Sequence, residues 1–126
     1  RYPVFVNGHH GLLIEAPAGL LDQTSPEERI KAETEEETGY CVHAVRKVFE
    51  AYMSPGSVTE KLHFFVAEYA ANDHVGAGGG VHSEGEDIEV LELTLDQALA
   101  MIEQGEITDA LSVLAIQSYA LKLRQG

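Results

Sequence analysis

The sequence predicts an α/β fold of the α+β kind, a mixed sheet with helices packed on its faces. Three observations carry that expectation. Stretches rich in β-branched and aromatic residues alternate irregularly with helical ones. Capping boxes of the Ser/Thr-x-x-Glu/Gln form open helical segments at Ser25 and Thr94. Finally, 44% hydrophobic and 23% charged residues in 126 suit one ordinary globular domain, 1–126.

Taken in order, Tyr2 to Val6 reads as a strand, 7–11 (NGHHG) as a hairpin turn and Leu12 to Glu15 as the returning strand. Ser25 caps a helix to Thr38, Pro26 suits its first position, and Gly39 suits the left-handed residue that ends it. Val42–Tyr52 and Lys61–Tyr69 read as strands about the turn Ser54-Pro55-Gly56-Ser57. The glycines from Gly76 to Gly80 open a loop running to Asp87, and Ile88–Leu93 reads as a further strand. Thr94 caps a short helix to about Gln104. Thr108 or Asp109 caps a last helix to about Arg124, with Leu111, Leu114, Ala115, Ser118 and Leu121 as its apolar stripe.

The charge balance excludes two partner classes. With 8 Lys+Arg against 21 Asp+Glu, the net charge is −13. Such a chain repels nucleic acid and anionic membranes. It would also repel a phosphate substrate unless divalent cations neutralise its carboxylates. Cys41 is the single cysteine, no signal peptide is visible, and no apolar run could span a bilayer; a reducing cytoplasm is the expected compartment.

The densest chemistry is the run Glu33-Thr34-Glu35-Glu36-Glu37-Thr38-Gly39-Tyr40. Glu33, Glu36 and Glu37 are spaced i, i+3, i+4 and share one helix face, while Glu35 points elsewhere. Three like charges near a helix C-terminus oppose each other and the macrodipole, at tenths of a kcal/mol each. A solvated acidic face and a platform for a hard cation are both open on spacing alone. Arg29, four residues before Glu33, could pair with it.

The preceding turn bears on that choice. Gly19 in 16–22 (APAGLLD) allows close backbone approach to a ligand. Together, 19–40 (GLLDQTSPEERIKAETEEETGY) resembles the signature box of the Nudix hydrolase family, with Gly19, Glu33, Glu36, Glu37 and Gly39 matching. The stretch departs from the family pattern in being one residue shorter between the glycines. Thr24 or Ser25 stands where an early Glu is usual, and Ala32 where an Arg orients the carboxylates; Arg29 is a possible substitute. The stretches 16–22, 49–69, 77–93 and 97–107 are similar to the nucleoside-diphosphosugar branch, so the resemblance covers nearly the whole chain.

That resemblance implies an α/β/α sandwich and Mg²⁺-dependent hydrolysis of a nucleotide sugar, with Mn²⁺ as a substitute cation. GDP-mannose is the first expected substrate, cleaved to GMP and mannose 1-phosphate, with ADP-ribose hydrolysis or binding without hydrolysis as alternatives. It implies metal ligands at Glu33, Glu37, Glu86 and the Ala18 carbonyl. Catalytic roles fall to Glu36 and to Glu86 or Glu84, and substrate contacts to Arg1, Gly19, Leu20, Glu60 and Gly85. Leu111 stands where this branch carries a substrate lysine, which leaves room for ADP-ribose. The resemblance also implies a homodimer in the full-length protein and an N-terminal strand segment preceding Arg1. His63 is expected as a satisfied sheet residue, and His9 and His10 as turn residues.

Overall fold

The computed structural model describes residues 2–3, 12–19, 25–54, 56–57, 60–76, 78–79 and 88–124. Its backbone divides into two compact units, one of residues 17–78 and one of residues 1–16 with 79–126. Helices and antiparallel strands are both present, as the α+β expectation requires.

In the 17–78 unit, α1 spans Pro26–Thr38. Ser25 is extended, its hydroxyl accepts from the Glu28 N–H at 3.2 Å, and Pro26 occupies the first turn, where its missing N–H costs nothing. Gly39 ends the helix at φ 81°, its N–H donating to the Glu35 carbonyl at 2.9 Å. This helix has little apolar surface, and the one residue it buries is Glu33. Strands β3 (Val45–Tyr52) and β4 (Lys61–Ala67) form an antiparallel ladder, with the register shifting between Lys47 and Phe49. Phe49 and Phe64 stack across it at 4.3 Å between ring centres. Both strands start or stop short of the expected bounds: Val42 lies outside β3 but is buried.

A short 3₁₀ turn, Ala71–Asp73, leads to a segment laid along the end of α1. The Val75 and Gly76 N–H groups donate to the Gly39 carbonyl, and Cys41 N–H to the Asp73 carbonyl. Here two backbones touch without side chains. A Cβ on Gly39 would lie 2.2 Å from the Gly76 carbonyl oxygen, and one on Gly78 (φ 72°) 2.8 Å from that of Glu37.

In the other unit, β1 (Tyr2–Pro3) pairs antiparallel with β2 (Leu12–Leu13). Helix α2 spans Leu95–Glu103 behind the expected capping box, with Thr94 Oγ1 accepting from Gln97 N–H and Gln97 Oε1 from Thr94 N–H. Helix α3 spans Ala110–Arg124, and Asp109 is its cap: Asp109 Oδ2 accepts from the Ser112 N–H at 3.0 Å and hydroxyl at 2.7 Å. Ser112 is buried because its hydroxyl is fully used, also accepting from the Ala16 N–H at 2.9 Å. Nearby, the Glu15 carboxyl is held above its ordinary range, by desolvation first and by the Asp109 charge second.

Three expectations change. Residues 88–93 form no strand: the Ile88 N–H donates to the Gly79 carbonyl, but apolar alternation without a neighbouring strand makes no ladder. Among the described residues the strands make two separate two-stranded antiparallel sheets, with no parallel pair. Leu114 and Leu121 of the α3 stripe are exposed rather than packed inward. No helix among the described residues is long and apolar enough to cross a membrane.

Candidate active site

The last two turns of α1 bring the expected carboxylates to one place. Glu33 is 4% exposed, which for an acid demands a compensating charge or donors. Arg29, one turn earlier, supplies a charge: its Nη2 pairs with Glu33 Oε1. Gly19 closes over the same side chain. A Cβ there would stand 2.4 Å from Glu33 Cγ and 2.8 Å from its Oε1, so the turn can approach this closely only as glycine. One residue away, the Ala18 N–H donates to Glu37 Oε2 at 3.3 Å.

Ala18, Gly19, Glu33 and Glu37 therefore meet; helix spacing predicts the shared face of Glu33 and Glu37, and the contacts with Ala18 and Gly19 are additional. Glu36 shares their face but is exposed, and Glu35 is exposed on its own side. Glu60 is exposed just before β4, where its carbonyl accepts from the Met53 N–H at 3.0 Å. Arg1, Leu20, Glu84, Gly85 and Glu86 lie outside the described residues, as do His9 and His10. Among the described residues no three acidic, imidazole or thiol side chains converge tightly enough to hold an ion unaided. The available donors are nonetheless of one chemical kind, carboxylate and backbone oxygen. Mg²⁺ and Mn²⁺ take that kind, with water and phosphate oxygens completing the shell.

A second charged cluster was not foreseen. Glu50 on β3 pairs with Lys47 on its own strand and with Lys61 across the ladder at 2.9 Å. The Lys61 ammonium also lies 5.7 Å from the Tyr52 ring centre. His63 Nδ1 stands 3.4 Å from Glu50 Oε1, buried and without a hydrogen-bond partner, so the expectation of a satisfied histidine fails. Burial first, then Lys47 and Lys61, hold His63 below its ordinary pKa, against the opposing pull of Glu27. A second aromatic group, Tyr40 with Tyr69 and His74 at 4.7 and 4.8 Å, gathers where Tyr40 bridges to His74. Both clusters arise from pairings between distant segments and left no local signal.

No family model matches the chain. It is 55% identical over 118 residues to a GDP-mannose pyrophosphatase of Pectobacterium atrosepticum, covering 93% of this chain and 60% of that protein. It is 59% identical over 117 residues to one of Citrobacter koseri, covering 92% of this chain and 60% of that protein. A protein of the same name from Escherichia coli K12 is 58% identical over 117 residues, with the same coverage of 92% and 60%. The chain thus spans about three fifths of the length of the curated relatives it matches. Through nearly its whole length the chain is similar to part of each of several proteins named GDP-mannose pyrophosphatase.

Proposed function

We propose that this chain carries the catalytic platform of a pyrophosphatase for nucleoside diphosphate sugars, with GDP-mannose as the first substrate. The observation that supports it most is the buried Glu33, wedged between Gly19 and Arg29, with Glu37 one turn on and bonded to Ala18. That is an expensive arrangement for a surface helix and a useful one for binding a cation.

In the reaction, a water oxygen adds to one phosphorus while the bridging oxygen leaves with the other. GDP-mannose and water give GMP and mannose 1-phosphate. The carboxylate and backbone oxygens of the site suit a hard divalent ion; Mg²⁺ is the proposed ion, and Mn²⁺ a substitute. Glu33, Glu37, Glu86 and the Ala18 carbonyl would hold it, and it would neutralise phosphate charge and acidify the attacking water. Glu36, with Glu86 or Glu84, takes up the proton released as the water attacks. Gly19, by lacking a side chain, lets its backbone lie close to the Glu33 carboxylate; Gly19, Arg1, Leu20, Glu60 and Gly85 contact the substrate. The proposed frame is one Nudix α/β/α sandwich over 1–126, dimeric in the full-length protein and cytoplasmic.

A panel of sugar nucleotides incubated with Mg²⁺, with products separated by chromatography, tests this reading. GMP and mannose 1-phosphate should accumulate fastest. Glu37→Gln should lower the rate at least about 10²-fold with the fold retained. ADP-ribose belongs in the panel because Leu111, half-buried on α3, carries no charge for the mannose branch's usual contact. A folded protein that hydrolyses none of the panel would sink the enzyme reading and leave nucleotide-sugar binding, which calorimetry would detect.

A further inference from the structure

The pair of Arg29 and Glu33 is lopsided. Arginine's planar fork normally meets a carboxylate with two parallel bonds. Here Nη2 reaches Glu33 Oε1, whereas Nε is buried and has no hydrogen-bond partner. The guanidinium is held by charge rather than by matched shape, and one of its donors stays unmade. The same Oε1 is the carboxylate atom that faces Gly19, 2.8 Å from where a Cβ would stand. Arg29 therefore sits on the oxygen that points toward the glycine turn.

We propose that Arg29 is the resident counter-ion of Glu33, a place-holder that a divalent cation must displace from this carboxylate. The proposal rests on the metal-dependent reading above. Its physical content is competition. A buried carboxylate needs compensating charge or donors when no ion is bound, and Arg29 supplies charge to this one. A divalent ion on the same oxygen would face that guanidinium as a like charge at short range. Arg29 then stabilises the ion-free protein and opposes ion binding, whereas a strut that merely orients Glu33 would favour it. The two roles give opposite signs.

The experiment uses the whole chain and Mn²⁺ as the probe, with free Mn²⁺ followed by electron paramagnetic resonance and unfolding followed by circular dichroism. Arg29→Met, which keeps length and loses charge, should bind Mn²⁺ roughly tenfold tighter than the unaltered protein, a modest effect for deleting a nearby unit charge. It should melt lower without metal and gain more in melting temperature when Mn²⁺ is added. Arg29→Lys, which keeps the charge, should stay within about twofold of the unaltered protein. In a Glu33→Gln background the tightening should vanish. Arg29→Met with equal or weaker Mn²⁺ affinity would overturn the proposal while leaving the metal reading intact. No Mn²⁺ binding by the unaltered protein would overturn both. If Arg29→Met unfolds without metal, Mn²⁺ must restore it and Arg29→Gln must bind more tightly; failure of either also overturns the proposal.

Discussion

Two carboxylates in the 17–78 unit meet basic side chains, and they do so under opposite conditions. Glu33 lies on a helix at 4% exposure, against Arg29 and a glycine turn. Glu50 lies on a strand, about a third exposed, with Lys47, Lys61 and His63 around it. By count of basic neighbours Glu50 is the better provided. Burial reverses that ranking. In water each exposed pair is worth about 0–1 kcal/mol and tolerates movement. An enclosed carboxylate has few positions open to it, so its surroundings set its geometry. Glu33 is a candidate for chemistry because it is confined; Glu50 is a hairpin clasp.

The largest effect should come from loosening that confinement. Gly19→Ala sets a Cβ 2.4 Å from Glu33 Cγ, and the buried, paired side chain has to move. Hydrolysis of the best panel substrate should fall about 10²-fold, the scale of an ångström of misplacement, while melting changes little. The comparable change at the open cluster, Glu50→Gln, should leave the rate alone. If Gly19→Ala kept kcat/KM within threefold, confinement of Glu33 would not matter to the reaction.

Next in size is the end of α1. Gly39→Ala combines φ 81° with a backbone oxygen 2.2 Å from the new Cβ. Separating two backbones should cost more than about 2 kcal/mol, read from urea unfolding. Gly105→Ala has the same φ of 81° but open space around it, and should cost only about 1 kcal/mol. Equal costs would mean that the 73–78 segment yields easily and does not fix the helix end.

Where the sequence was legible follows from range. Ser25, Pro26, Gly39 and Thr94 act within a turn of themselves, so their roles can be read locally and the caps form there. Helix spacing likewise foretells that Glu33 and Glu37 share a face and that Arg29 reaches Glu33. It cannot foretell the depth of Glu33, because Gly19 arrives from fourteen residues earlier. Gly78 over the Glu37 carbonyl was hidden for the same reason. The Glu50 cluster depends on a register shift at Lys47/Phe49 that no residue pattern announces. Residues 88–93 have strand-like composition, yet pairing is a property of a neighbour, not of the segment.

The smallest expected effect sharpens the comparison from the open side. His63 is held below its ordinary pKa of 6.5 by burial first, then by Lys47 and Lys61. For a base with a depressed native pKa, the unfolded chain takes up its proton first as pH falls. Stability is therefore full above 6.5 and is lost as pH drops from there toward the lower native value, with no further loss below it. Comparing urea midpoints at pH 7.5 and pH 5.5 should show a decline in the unaltered protein that His63→Gln reduces. The difference should stay under about 1 kcal/mol, because Glu27 partly offsets the lysines and the cluster is screened by water. A decline unchanged in His63→Gln would assign the acid sensitivity elsewhere. A decline well above that size would mean that this hairpin is as tightly determined as the Glu33 site, and the contrast between enclosed and open carboxylates would no longer separate the two regions.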